Sequence, residues 1–150
     1  MMGNSRSNTD GEKYRKQMSI EDMTSKINKY LLMHDDVAFA FLFGSFIRGE
    51  ATGFSDVDIA IFFTGVVDFH RINRLREDLT GLLGMETDIV VLNTASPIIR
   101  MQVLKKGVLL IKKEQRAYHE FFVNTVKEYD DLKRNRKEIE DKILRGRIYA

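Results

Sequence analysis

The sequence predicts an α+β domain, a small β-sheet flanked by helices, that ends in one long helix. Three observations carry this. Four short apolar runs rich in β-branched and aromatic residues, Val37–Phe43, Ile59–Phe63, Ile89–Leu92 and Val108–Ile111, have the length and composition of buried strands. Between them lie segments whose apolar residues recur every three or four positions, the period of an amphipathic helix. From Glu114 to about Leu144 that period runs on without a glycine or proline. With 150 residues, 43% of them hydrophobic, the chain can hold one core and no second domain.

Taken in order, residues 1–18 are polar, lack an apolar period and are expected to be a disordered tail. Ser19 can cap a helix carrying Ile20, Met23, Ile27 and Leu31 on one face. His34-Asp35-Asp36 ends it, with His34 expected in solvent. The strand Val37–Phe43 stops at Gly44, and Phe46-Ile47-Arg48-Gly49 has room only for a short helix before the turn residues Gly49 and Gly53. Asp68 is placed to cap a helix with a core stripe of Phe69, Ile72, Leu75, Leu79 and Leu82, leaving His70, Arg71, Arg74 and Arg76 on solvated faces and ending at Gly81 and Gly84. Ser96-Pro97 opens the next helix and Gly107 stops it. Ile98, Ile99, Val103 and Leu104 are expected to cover the sheet, and Arg100 to face either the site or solvent.

In the long C-terminal segment the stripe is Tyr118, Phe122, Val126, Tyr129, Leu132, Ile139 and Ile143. Asp130–Arg134, Glu138–Lys142 and Asp141–Arg145 are spaced as ion pairs, and His119 is a surface residue. A small sheet cannot cover the whole stripe, so its distal half calls for another helix, from the same domain, a second copy or a different protein.

The chemistry is concentrated between residues 37 and 63. Gly44 lets the backbone approach a ligand closely, the free N–H groups of a following helix start would face an anion such as phosphate, and Ser45 adds a hydroxyl. Arg48 can reach a phosphate oxygen or pair with Glu50 or an aspartate, and Ser55 either orients Asp56 or ends the loop. Asp56 and Asp58, two apart at a strand start, share a face. Their repulsion is relieved by a divalent cation, and oxygen-only donors suit magnesium or manganese. Asp88 stands before another apolar run and can complete the set. Each signal alone is weak. Three carboxylates against apolar strands, however, cost several kcal/mol if buried without a cation or donors.

Gly44-Ser45, ten intervening residues, Asp56-x-Asp58 and the distal Asp88 resemble the signature of the polymerase-β nucleotidyltransferase superfamily. Arg48-Gly49-Glu50-Ala51, Ser55-Asp56-Val57-Asp58-Ile59-Ala60 and residues 92–110 are similar to its minimal nucleotidyltransferases, prokaryotic proteins that often serve as antitoxin partners of small helical HEPN toxins. The resemblance runs from about residue 19 to about 113. It implies a polymerase-β-like fold with a mixed sheet, a triphosphate held by Gly44 and Ser45 with Arg48, and two Mg2+ ions, or Mn2+, on Asp56, Asp58 and Asp88. It further implies transfer of AMP from ATP, or of another nucleoside monophosphate from its triphosphate, to a hydroxyl such as a toxin tyrosine, with Asp88 helping to remove the proton. The expected organisation is a nucleotidyltransferase domain over 19–113 and a helix over 114–150 that packs on the domain, on a partner or in a homo-oligomer. Other acceptors, a small molecule or an RNA end, fit the same signature, and a third reading is an antitoxin that neutralises by binding alone.

A net charge of +2 does not itself point to nucleic acid. The absence of cysteine excludes disulfides and thiolate metal sites and fits a reducing compartment. No apolar stretch approaches the roughly 20 residues of a membrane span, and the N-terminus lacks a signal-peptide pattern, so a soluble cytoplasmic protein is expected.

Overall fold

The computed structural model describes residues 18–44 and 57–149, with side chains as far as residue 146. Of the predicted tail over 1–18, Met18 is described and packs against the core. Residues 1–17 and 45–56, the latter with the expected short helix and with Ser45, Arg48, Ser55 and Asp56, lie outside the described residues. The described elements follow in the order α1 (Ile20–Leu32), β1 (Val37–Phe43), β2 (Val57–Phe63), α2 (Phe69–Leu83), β3 (Thr87–Val91), α3 (Pro97–Lys106), β4 (Val108–Lys112) and α4 (Gln115–Tyr149).

The helix starts are set by side chains that accept from otherwise unpaired N–H groups. Ser19 Oγ accepts from the Asp22 N–H at 3.1 Å, Asp68 Oδ1 from Arg71 at 2.8 Å and Ser96 Oγ from Ile99 at 3.3 Å. Gly84, at φ +67°, closes α2 in the left-handed region.

The sheet order is β3-β2-β1-β4. β1 is antiparallel to both its neighbours, while β2 and β3 are parallel, joined through α2. The sheet is therefore mixed, as the family resemblance implied. On one face Met23, Ile27 and Leu31 of α1 and Leu75, Leu79 and Leu83 of α2 pack against Ala40, Leu42, Val57, Ile59, Ile61 and Ile89. On the other, Val103 of α3 and Phe121 of α4 pack against Phe39, Phe41, Ala60 and Leu92. Both faces are covered, which is why β1 reads as a continuous apolar run. Rings fill the second face: Phe39 stacks on Phe62 at 4.9 Å and meets Phe121 at 5.2 Å and Tyr118 edge-on at 5.3 Å.

β4 is an edge strand. Its pairing with β1 shifts register so that Leu110 falls outside the ladder, and the Leu110 carbonyl accepts instead from Asn28 Nδ2 of α1 at 2.7 Å.

Several helix faces differ in part from their expected positions. On α4 Phe121 and Thr125 are buried and Ala117, Tyr118, Val126 and Tyr129 half-buried, so the expected stripe holds at Tyr118, Val126 and Tyr129 but not at Phe122, which is 45% exposed; every residue from 131 to 146 is exposed. The aromatic pocket of the sheet selects Phe121 over its neighbour. On α2 Phe69 and Leu82 are exposed and Leu83 is buried; on α3 Met101 and Val103 are buried while Ile98 and Ile99 are exposed. The ion pairs formed along α4, among the described residues, are Arg116–Glu120 and Arg136–Glu140 rather than the three expected.

His34 and Arg71 also differ from expectation, since neither is a solvated bystander. Arg71 donates through Nε and Nη2 to the two Asp36 oxygens at 2.8 and 2.9 Å, and Nη2 also donates to His34 Nδ1 at 2.8 Å. Burial, reinforced by the guanidinium, holds the His34 imidazole below its ordinary pKa, and hydrogen bonding from Arg71 lowers that of Asp36. This cluster precedes β1 and so lies at the end of the sheet opposite Gly44.

Two outcomes follow for stability. Phe121→Ala is expected to cost about 3–5 kcal/mol in urea unfolding, and Phe122→Ala less than about 1 kcal/mol. Below the ordinary imidazole value of 6.5 the unfolded chain takes up a proton that folded His34 resists, so stability falls with pH. Thermal melts between about pH 7 and 5 should show that fall, and His34→Gln should remove most of it.

Candidate active site

Asp58 is the second residue of β2. Its Cα pairs with Phe43 on β1 and with Asp88 on β3. Neighbouring strands lie about 4.8 Å apart and paired residues share a face, so register alone sets Asp58 beside Asp88. Val57, Ile59 and Ile61 enter the core under α1 and α2, while Ala60 enters the opposite core with Phe62 against it, so alternation puts Asp58 on the α3/α4 side. Asp88 alternates with Thr87 and Ile89 in the same way. Asp58 is half-buried and Asp88 exposed, and one Asp88 oxygen accepts from the Ile89 N–H at 2.9 Å. Gly44, at φ +105°, follows Phe43 directly and so stands at the same end of the sheet.

Of the six residues singled out from sequence, the fold thus brings together Gly44, Asp58 and Asp88, and Ser45, Arg48 and Asp56 lie outside the described residues. Among the described residues no group of three His, Cys, Asp or Glu could hold a metal ion. The two acids nonetheless suit a hard divalent cation: they are oxygen donors on adjacent strands, on one face, where their mutual repulsion favours a bound positive charge.

Arg100 faces neither the site nor solvent. It donates through Nε to the Leu92 carbonyl at 2.9 Å and through Nη2 to the Asn93 carbonyl at 2.8 Å, with its guanidinium 5.3 Å from the Phe121 ring centroid. Leu92 lies four residues beyond Asp88, roughly 13 Å along the strand direction, so Arg100 has a structural role at the far end.

Lys105 and Lys106 escaped the sequence reading. They form the last turn of α3, and because Val108 pairs with Leu42 this turn arrives at the Gly44 end. Arg100 lies against Phe121 and Lys105 Nζ is 5.4 Å from the Tyr129 ring, so α4 runs alongside α3 in the same direction. The exposed part of α4 therefore leaves the domain at the end of the sheet that carries the acids. No signal in the sequence gave that direction, because it follows from the strand order.

Residues 25–116, more than half the chain, match the family described as Polymerase beta, Nucleotidyltransferase. The chain belongs to this family. The nucleotidyltransferase is 34% identical over 89 residues to the protein adenylyltransferase MntA of Thermococcus cleftensis, an alignment covering 59% of this chain and 90% of the relative. It also resembles a chain of a toxin-antitoxin crystal structure with AMP-PNP, at TM-score 0.64 and 30% identity over 81% of this chain and 98% of that one. A third likeness is to a chain in the structure of the tri-AMPylated Shewanella oneidensis HEPN toxin with MNT antitoxin, at TM-score 0.64, 28% identity, and coverage of 81% and 96%. Among the described residues of this nucleotidyltransferase, no helix is long and apolar enough to cross a membrane.

If Asp58 and Asp88 repel in the absence of a cation, Asp88→Asn should leave the melting temperature in EDTA unchanged or slightly raised. Saturating Mg2+ with nucleotide should stabilise the unsubstituted chain by about 2.7 kcal/mol at a hundredfold excess over Kd, and Asp58→Asn should abolish that gain.

Proposed function

We propose that this chain is a metal-dependent protein adenylyltransferase that moves AMP from ATP to a tyrosine hydroxyl of a HEPN-type toxin in the cytoplasm, and that it acts as the antitoxin. The observation that carries the reading is the parallel pairing that sets Asp58 beside Asp88 next to the Gly44 bend. The names of the relatives, together with AMP-PNP and an AMPylated toxin in similar structures, support ATP as donor and the toxin as acceptor.

In this reading the N–H groups of Gly44 and Ser45, with the Ser45 hydroxyl, receive the β and γ phosphates, and Arg48 donates to a phosphate oxygen. Asp56, Asp58 and Asp88 would hold two Mg2+ ions, or Mn2+, which would supply positive charge to offset that on the transferred phosphoryl group and the departing pyrophosphate. The acceptor oxygen forms a bond to the α phosphorus while the bond to the α–β bridging oxygen breaks, and that electron pair leaves with pyrophosphate. The hydroxyl proton passes to Asp88, whose exposure suits an acceptor arriving from outside the fold.

The domain over 19–113 supplies the chemistry and the helix over 114–150 the docking surface. Leu132, Ile139, Ile143 and Leu144 are 42%, 58%, 53% and 56% exposed on the stretch of α4 that passes beyond the acids, so a protein bound there is held beside the nucleotide. The same arm favours a second reading, neutralisation of the toxin by occlusion.

Incubation with labelled ATP, Mg2+ and the partner toxin should label the toxin. Asp88→Asn should slow labelling by about 10²–10⁴-fold, and Asp56→Asn or Asp58→Asn should abolish it. Label that persists in those variants would overturn the catalytic assignment, and neutralisation that survives without label would assign the effect to binding.

A further inference from the structure

We propose that Gly44 is a positioning residue for Asp58, in addition to the phosphate contact assigned to it above; this rests on the reading of Asp58 as a cation ligand. Two observations meet at this glycine. Its φ of +105° lies where L side chains are strained. A Cβ built on it would also fall against the Asp58 carboxylate, 2.8 Å from Cγ and 2.9 Å from the Asp58 Cβ, where ordinary contacts begin near 3.4 Å. Gly65 and Gly84 share a positive φ but have nothing within 4 Å of such a Cβ. For them backbone freedom is a sufficient reason for glycine, and for Gly44 it is not.

The contact follows from register. Phe43 and Asp58 are paired across β1 and β2, so the backbone that bends away after Phe43 passes directly over the Asp58 side chain. The strands cannot slide apart to admit a methyl group, because Leu42 on one and Val57 and Ile59 on the other are fully buried. A side chain at residue 44 must therefore displace the Asp58 carboxylate from its position. The phosphate bend and the acid beside it work as one unit, with a bare α-carbon as the stop that fixes where the carboxylate rests.

The test uses the full chain, with Mn2+ as probe by electron paramagnetic resonance and AMP-PNP binding measured separately in EDTA. Gly44→Ala should weaken Mn2+ binding by about 10- to 100-fold, the usual range for losing a group that orients a metal ligand. In the Asp58→Asn background the same change should weaken it no further. A cycle of melting temperatures covers the case in which the variant is poorly folded or binds no ion: Gly44→Ala should lower the melting temperature less in Asp58→Ala than in the unsubstituted chain, because the clashing carboxylate is gone. Equal losses in the two backgrounds, or unchanged Mn2+ affinity with weakened AMP-PNP binding, would overturn the proposal. An unsubstituted chain that takes up no Mn2+ would remove the cation reading alone, and the melting cycle would still decide the Gly44–Asp58 contact.

Discussion

The in-register parallel pairing of β2 with β3 is the constraint on which the site depends. Asp58 opposes Asp88 because Ile59 opposes Ile89 and Ile61 opposes Val91, and these apolar residues are locked under α1 and α2. A slip of one residue would turn every side chain of β3 to the other face, burying Asp88 and exposing Ile89, a change the hydrophobic core does not permit. The acids are held in place by the greasy residues next to them.

The opposite face of the sheet performs a different task with the same economy of material. Phe39, Phe62, Phe121 and Tyr118 form one aromatic layer that anchors the start of α4, and Arg100 ties the end of β3 to that layer. The direction of α4 is fixed by α3 beside it, which must return to the Gly44 end in order to start β4 next to Leu42. A connectivity detail thus decides where the exposed arm emerges.

Much of this was legible in the sequence because local chemistry specified it. Ser19, Asp68 and Ser96-Pro97 marked helix starts through capping, and the apolar runs marked the strands. Neither the sheet order nor the direction of α4 has a local signal. On α4 Phe122 was taken for the buried ring because Phe121 and Phe122 are adjacent and either can lead an apolar stripe; the stacked rings of Phe39 and Phe62, both against Phe121, make the choice. His34, Arg71 and Asp36 are separated by up to 37 residues, and only the fold joins them into a hydrogen-bonded group. Asp58 and Asp88 were singled out from spacing and family resemblance and the fold pairs them, whereas the closeness of Gly44 to the Asp58 carboxylate requires coordinates.

The bulge at Leu110 bears on how this molecule behaves in a crowd. An outermost strand offers unused backbone groups to any extended chain that passes, and Val108 and Leu109 make this one sticky as well. By spending one carbonyl on the Asn28 amide and breaking the even rhythm of its pairing, the strand spoils itself as a template. The rim that faces solvent is thereby defended against fibre-like stacking by a single amide from the neighbouring helix.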